Sequence, residues 1–449
     1  CWDEPRARWA PGGAEAVKSG QLLPRVALGL SAIFAACSTG SGPEVGIGAT
    51  DQPAPDVEIA ADVRAAAPIR DFVLQYAPYK QVDPRTGKPN EKIGRTPGSA
   101  CEVIHLLTVL ARSNPSDAQA LSKAKSLADW VIGLQDTGET STTYGGVPST
   151  PDLPPPASRY FYAIDAGFCG AAMFRLYDLT KNDSYHQSGL RFADFLVNMQ
   201  SSPERPYARP PGMPDGFCEF VVNAGPQPAW NCERHVKNLS VLPILRRAAA
   251  ISGKAHYDAA AKSGRMFLIE GLAGAWEYAD AATLAQCGER ACPQAWRRVK
   301  GPKGQPDYFV YGDTLAYALR GLFAYEGPSP DVRSLYDKFS GYRGRDPRTR
   351  KYDGRIAFAG YLHPASASPD PLSAYYDIVT LGILHNLRRN VRPEHYAVAD
   401  RVLRTRLADA AQLSWRMEFD LSLPKSDFVD LTTLANIGEA LALPAAAPH

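Results

Sequence analysis

From about residue 57 to the end of the chain, apolar residues recur at intervals of three and four, and runs that alternate apolar with polar are few. The spacing predicts twelve helices, at about 57–78, 97–113, 116–135, 159–180, 182–200, 235–252, 254–270, 309–326, 330–341, 372–389, 394–412 and 427–442. Their connections alternate in length. The turns "SNPS", "TKND", "ISGK", "EGPSPD" and "RRNVRPE" are short and rich in Gly, Pro, Asn and Asp. The remaining connections, 79–96, 136–158, 201–234, 271–308, 342–371 and 413–426, are mostly much longer. Short turns join antiparallel neighbours, so the alternation predicts a ring of six helical hairpins whose long loops all emerge on one face.

The two sets of helices differ in composition. Those after short turns, such as "AQALSKAKSLADWVIGLQ" and "HQSGLRFADFLVNMQ", carry one apolar stripe and a charged face, as outer helices do. Those after long loops, such as "YGDTLAYALRGLFAYEG" and "YYDIVTLGILHNLRRN", are apolar or small on most sides, as inner helices packed by neighbours must be. One barrel of six inner and six outer helices follows.

This count and alternation resemble the (α/α)6 toroid of many carbohydrate-active enzymes, the six-hairpin glycosidase class. The resemblance covers residues 57–445 and rests on architecture, without a family-specific motif. It implies an all-α fold, an (α/α)6 toroid, with a substrate cleft in the funnel where the long loops meet the N-terminal ends of the inner helices.

The first 56 residues read differently. Lys18 and Arg25 precede an apolar run from Val26 to Phe34, then small residues and Cys37, the order of a secretory signal. The segment ending "FAAC" resembles the lipobox of bacterial lipoproteins, with Phe34 where Leu is commoner; the resemblance implies acylation of Cys37 and export to the cell envelope. Val17 is read as a translation start from an alternative codon, which would leave residues 1–16 untranslated. The expected organisation is therefore 1–37 signal and lipobox, 38–56 a Gly-, Ser- and Pro-rich tether, and 57–445 the catalytic domain. No other stretch is long and apolar enough to span a bilayer.

Composition narrows the partners. The chain has 449 residues, a formal net charge of +2 and 45% apolar residues, which suits an ordinary globular protein and gives no reason to expect nucleic acid or a membrane surface as partner. The densest basic run, "GYRGRDPRTRKYDGR" at 341–355, is read as a solvated loop, with contact to an acidic partner as the sharper alternative. Cys101, Cys169, Cys218, Cys232, Cys287 and Cys292 are an even set in a chain read as exported, so disulfides are expected. Cys287 with Cys292 and Cys218 with Cys232 give the shortest loops, leaving Cys101 with Cys169; free buried thiols are the alternative. No cysteine spacing resembles a zinc site, and no cofactor or metal is expected.

Each predicted inner helix begins with a polar residue near an aromatic or a cysteine: Glu102, Asp165, Asn238, Asp313, Asp377 and Asp430. A carboxylate in a first turn is accounted for by helix capping, worth about 0.3–1 kcal/mol. Capping does not account for the tyrosines just upstream, Tyr160, Tyr162, Tyr308, Tyr311, Tyr375 and Tyr376. Their ring faces can pack on sugar C–H faces while their hydroxyls reach sugar hydroxyls. Glycoside cleavage needs one carboxylic acid and one carboxylate. Adjacent inner helices lie about 8–10 Å apart, which suits the roughly 6.5–9.5 Å separation that admits a water between them. Asp313 and Asp377, on consecutive inner helices, are the expected pair, with Asp165 the rival for either role.

A second constellation is "GPQPAWNCERHVKN", which gathers Trp230, Asn231, Glu233, Arg234 and His235 beside an inner helix start. In toroidal polysaccharide lyases, Asn, His, Tyr and Arg commonly neutralise a uronate and abstract its α-proton, so a resemblance in residue types exists here. His235 as an ordinary helix-start residue is the competing reading. The expectation is an exported, lipid-anchored enzyme, a glycoside hydrolase acting on an oligo- or polysaccharide. The alternatives are a lyase or epimerase acting on a uronate-containing glycan, and a glycan-binding lipoprotein without activity.

Overall fold

The computed structural model describes residues 63–83, 86–200, 216–223, 228–231, 236–277, 297–300, 306–340, 343–345, 352–357, 361–362, 378–410 and 428–443. The predicted leader, Cys37, the tether, and the cysteines Cys232, Cys287 and Cys292 lie outside these residues.

Among the described residues there are thirteen α-helices, and each predicted helix has a counterpart. They are α1 Val63–Tyr76, α2 Pro97–Ser113, α3 Ala118–Leu134, α4 Ala163–Thr180, α5 Asp183–Asn198, α6 Leu242–Ser252, α7 Ala255–Glu277, α8 Gly312–Glu326, α9 Pro330–Ser340, α10 Ile378–Ile383, α11 His385–Val391, α12 Pro393–Ala410 and α13 Leu431–Ala442. The predicted helix at 372–389 is two, α10 and α11, separated at Leu384. A 3₁₀ segment, Val236–Val241, opens the predicted helix at 235–252.

The inner helices close a ring. α13 packs on α2, α2 on α4, α4 on the 3₁₀ segment, that segment on α8, α8 on α10, and α10 back on α13. Outside it, α3 packs on α2, α5 on α4, α7 on α6, α9 on α8 and α12 on α11, each pair joined by one of the short turns. The sixth hairpin differs from the expectation of six in succession: α1 packs on α13, so the two ends of the toroid's chain complete the ring together.

Burial separates the layers as their composition predicts. α2 buries fourteen of its seventeen residues, whereas α3 buries only Ala120, Ala124, Leu127, Ala128 and Val131, a single stripe at helical spacing. Small residues let the inner helices approach closely. A Cβ on Gly321 of α8 would lie 2.3 Å from the Leu239 carbonyl oxygen, and one on Gly438 of α13 would lie 2.8 Å from a Leu106 methyl. Near the starts of α2 and α4, the predicted Cys101–Cys169 disulfide is present, with Cα atoms 4.9 Å apart. Cys218 is also disulfide-bonded.

Among the described residues, four small antiparallel sheets sit on the connections, where few period-two runs were expected. Three of their strands run directly into an inner helix: β2 Tyr160–Tyr162 into α4, β6 Pro306–Tyr311 into α8, and β10 Val429–Asp430 into α13. The predicted helix starts at 159, 309 and 427 are corrected accordingly. Their backbone N–H and C=O groups bond across a ladder, β2 to β3 (Phe220–Val222) and β10 to β1 (Gln81–Val82), before the helix begins. The basic run at 341–355 is likewise no plain loop: β7 Arg343–Arg345 pairs antiparallel with β8 Tyr352–Ala357.

Candidate active site

Packing of α2 against α4 and α13 brings the starts of the three helices together. Ser99 of α2 is hydrogen-bonded through its hydroxyl to Thr432 of α13. On the other side, α2 meets α4 at Gly98, where an added Cβ would stand only 2.4 Å from Asp165 Oδ1. Gly98 is the second residue of α2 and Asp165 the third of α4, so the carboxyl group rests on a neighbouring helix start that only a residue without a side chain leaves open.

Asp165 keeps part of its surface accessible although protein surrounds it. Burial raises its pKa above the usual carboxylate range. A hydrogen bond from the Ser149 side chain and the positive charges of Lys80 and Lys237 act the other way without cancelling it. Ser149 also ties the site to β2, because its backbone N–H donates to the Tyr160 carbonyl at 2.8 Å. Two of the long connections are pinned to each other here. Arg95 makes a two-pronged ion pair with Asp152, at 2.8 and 2.6 Å, while its guanidinium lies 5.5 Å from the centre of the Trp130 ring.

Below this level a second polar group runs across the ring. Glu102, 1% exposed, takes Arg320 at 2.6 Å, and Arg320 donates to Asn436 Oδ1 at 2.6 Å. Asn436 in turn donates to the Tyr317 hydroxyl at 3.3 Å. The Tyr317 ring has Arg320 on it at 4.9 Å and Lys237 at 5.0 Å, which links the two groups. Nearer the C-terminal ends of the inner helices, Arg175 of α4 pairs with Glu439 of α13 at 2.7 Å. Burial opposes ionisation of Glu439, but the charges of Arg175, His105 and Arg320 and the Arg175 hydrogen bond hold its pKa down at about 2. His105, buried between them, is lowered to about 3, first by burial and then by Arg175.

The sequence candidates divide as follows. Asp165, Tyr160 and Tyr162 stand together at the start of α4. Asp313 is the second residue of α8, and Tyr308 and Tyr311 are on β6 just before it. α8 and α10 are neighbours, and α10 begins one residue after position 377. Asp377, Tyr375, Tyr376, Glu233, Arg234 and His235 lie outside the described residues. Trp230 of β4 (Ala229–Asn231) is opposite Val221 and packs against the core, because the pleat turns it to the same side as buried Phe161. Asp430 caps α13, accepting from the Thr433 N–H at 3.1 Å, and is 7% exposed. Of the other polar starts, Glu102 is occupied by Arg320, and Asn238 donates to the Phe217 carbonyl at 3.1 Å. Sequence reasoning missed Gly98, Ser149, Lys80 and Lys237. Only Lys237, beside the flagged Asn238, stood near any signal.

No protein-family model matches the sequence, and no curated protein does. Solved structures do match. A crystal structure of an unsaturated glucuronyl hydrolase specific for heparin superposes with a TM-score of 0.53 at 15% identity, over 84% of this chain and 94% of that one. The fold is the (α/α)6 toroid. A sugar epimerase from a ruminal bacterium superposes with the same TM-score, 0.53, at 8% identity, over 85% of this chain and 97% of that one. Among the described residues no group of His, Cys, Asp and Glu could hold a metal ion, and no helix is long and apolar enough to cross a membrane.

Proposed function

We propose that this chain is a glycoside hydrolase in which Asp165 supplies the proton to the leaving glycosidic oxygen. One observation carries the reading: a carboxyl group with a raised pKa, still reachable from solvent, at the N-terminal end of an inner helix of an (α/α)6 toroid. A general acid must hold its proton near neutral pH and release it when negative charge develops on the departing oxygen; burial without a full ion pair favours that state. Asp313 and Asp377 remain the candidates for the carboxylate that activates water or attacks the sugar. Tyr160 and Tyr162 flank Asp165 as sugar-contacting side chains, with Tyr308 and Tyr311 in the equivalent place before α8.

The finer part of the proposal is an acidic glycan. Lys80 and Lys237 both act electrostatically on Asp165, so a sugar seated there meets two cations that a uronate carboxylate would complement. The glucuronyl hydrolase likeness supports this choice, and the epimerase likeness keeps an epimerase acting on the same sugars as the second reading. Export as a Cys37-anchored lipoprotein is proposed alongside and is checked by whether Cys37→Ser removes acylation.

The test is incubation with neutral and uronate-containing oligosaccharides, followed by reducing-end and ultraviolet measurements. A hydrolase produces new reducing ends without new ultraviolet absorbance. Absorbance from unsaturated product would mark a lyase, altered sugar configuration at constant chain length an epimerase, and binding without any product a capture protein. Failure of every glycan to yield new reducing ends overturns the hydrolase reading.

A further inference from the structure

Sheet faces turned to solvent are ordinarily polar, with apolar residues kept for the face that packs on the core. The sheet β2–β3–β4 departs from this on one side. Along β2 and β3 the middle residues, Phe161 and Val221, are buried, as the pleat requires for the inner face. On the other side stand Tyr160, Tyr162, Phe220 and Val222, all half-buried and the first three aromatic. Tyr160 and Tyr162 are 6.2 Å apart with planes 18° from parallel, and Phe220 leans against both, at 5.3 and 5.1 Å, tilted 55° and 52°. Two nearly parallel rings with a third across them make a faceted apolar surface edged by phenolic hydroxyls.

This surface is continuous with the candidate active site. Asp165 follows Tyr162 by three residues, and Ser149 hydrogen-bonds the Tyr160 carbonyl through its backbone and Asp165 through its side chain. We infer that Tyr160, Tyr162 and Phe220 form a sugar-binding platform for a pyranose ring beyond the one being cleaved, so that the enzyme prefers chains longer than a disaccharide. A pyranose offers a flat array of C–H bonds to the rings and hydroxyls to the phenols, the two kinds of contact that this surface provides. The inference rests on the hydrolase reading and adds to it a residue, Phe220, and a dependence on chain length.

Binding is measured by calorimetry on Asp165→Asn protein, with uronate-containing and neutral oligosaccharides of two to six sugars as probes. In the parent, affinity should rise with length beyond the disaccharide. Phe220→Ala should erase that rise, a loss of roughly three- to tenfold on the longer probes, and leave disaccharide binding unchanged. Phe220→Leu separates stacking from packing, because leucine restores bulk without a flat face. Leucine behaving like alanine supports the platform. Rescue by leucine, or equal affinity for all lengths in parent and variants, overturns it while leaving the hydrolase reading intact. No binding of any probe by the parent overturns both, whereas turnover of disaccharides by wild-type protein with no length dependence overturns the platform alone.

Discussion

Asp165 and Glu439 occupy opposite ends of two inner helices that both pack on α2, and burial acts on both carboxyls in the same sense, yet their acidities move apart. From Asp165 to Arg175, the partner of Glu439, α4 rises about 15 Å at 1.5 Å per residue. At the lower end, Glu439 has a direct ion pair with Arg175 and two further positive or polarisable neighbours, and its pKa falls to about 2. At the upper end, Asp165 has a hydroxyl and two lysines that act only through their charge, and its pKa rises. The lower carboxylate is ion-paired and ties α4 to α13. The upper one is kept partly uncompensated, an arrangement that costs stability and serves proton transfer.

The sharpest way to break this contrast is Asp165→Asn. Turnover should fall by about 10²–10⁴-fold. The amide should also stabilise the protein at neutral pH. A carboxyl whose folded-state pKa is raised binds its proton more tightly when folded, so its contribution is most favourable at low pH and is lost as pH climbs through the raised value. Undiminished turnover would remove Asp165 from the chemistry.

Next in size is Arg320→Met, which strands Glu102, 1% exposed, without its cation. Unfolding in urea should show a loss of about 3–5 kcal/mol. A loss below about 1 kcal/mol would mean that the pair across the ring is energetically idle.

A smaller and more selective effect is expected from Gly98→Ala. The new methyl group would meet the end of a flexible side chain, Asp165 Oδ1 at 2.4 Å, so the fold can yield by moving that carboxyl. Turnover should drop roughly tenfold, since a displacement of about 1 Å is enough for such losses, and the midpoint of thermal unfolding should barely change. An equal fall in stability and turnover would reassign Gly98 to packing.

The smallest effect belongs to the lower end. Glu439, depressed to about 2 from an ordinary 4.5, contributes stability above that ordinary value and loses it as pH falls towards 2. Stability measured against pH should therefore slope less steeply over that interval in Glu439→Gln. An unaltered slope would show that Arg175 does not hold the carboxylate in its charged form.

The contrast also explains what could be read from the chain. Helices α2 and α3 fall almost where periodicity places them, because a single burial stripe or its absence is a local pattern. The Cys101–Cys169 pairing was legible too, as the pair left after the shortest loops are assigned. The stretch "YFY" before α4 misled, since three alternating residues are too few to stand out against the apolar helix that follows them. The site was half legible. Asp165 and its tyrosines are contiguous with a helix start, while Gly98, Ser149 and Lys80 come from α2 and two separate connections and come near Asp165 only in the folded protein. Asp430 looked equivalent to Asp165 in sequence, yet it caps its own helix, since it stands one residue before α13 whereas Asp165 is three residues into α4.

The pairing of α1 with α13 imposes an order on biosynthesis. A ribosome releases α13 after every other described helix, so until then α1 has no hairpin partner and α2 lacks one of its two flanking inner helices. The Cys101–Cys169 bridge needs only α2 and α4, which emerge early, and can fasten the first two hairpins while the barrel is still an open arc. Closure is then a single late event between segments some 370 residues apart, the kind of distant contact that slows folding. A chain cut short before Leu431 would be left with an unsealed seam of apolar helix exposed to its neighbours.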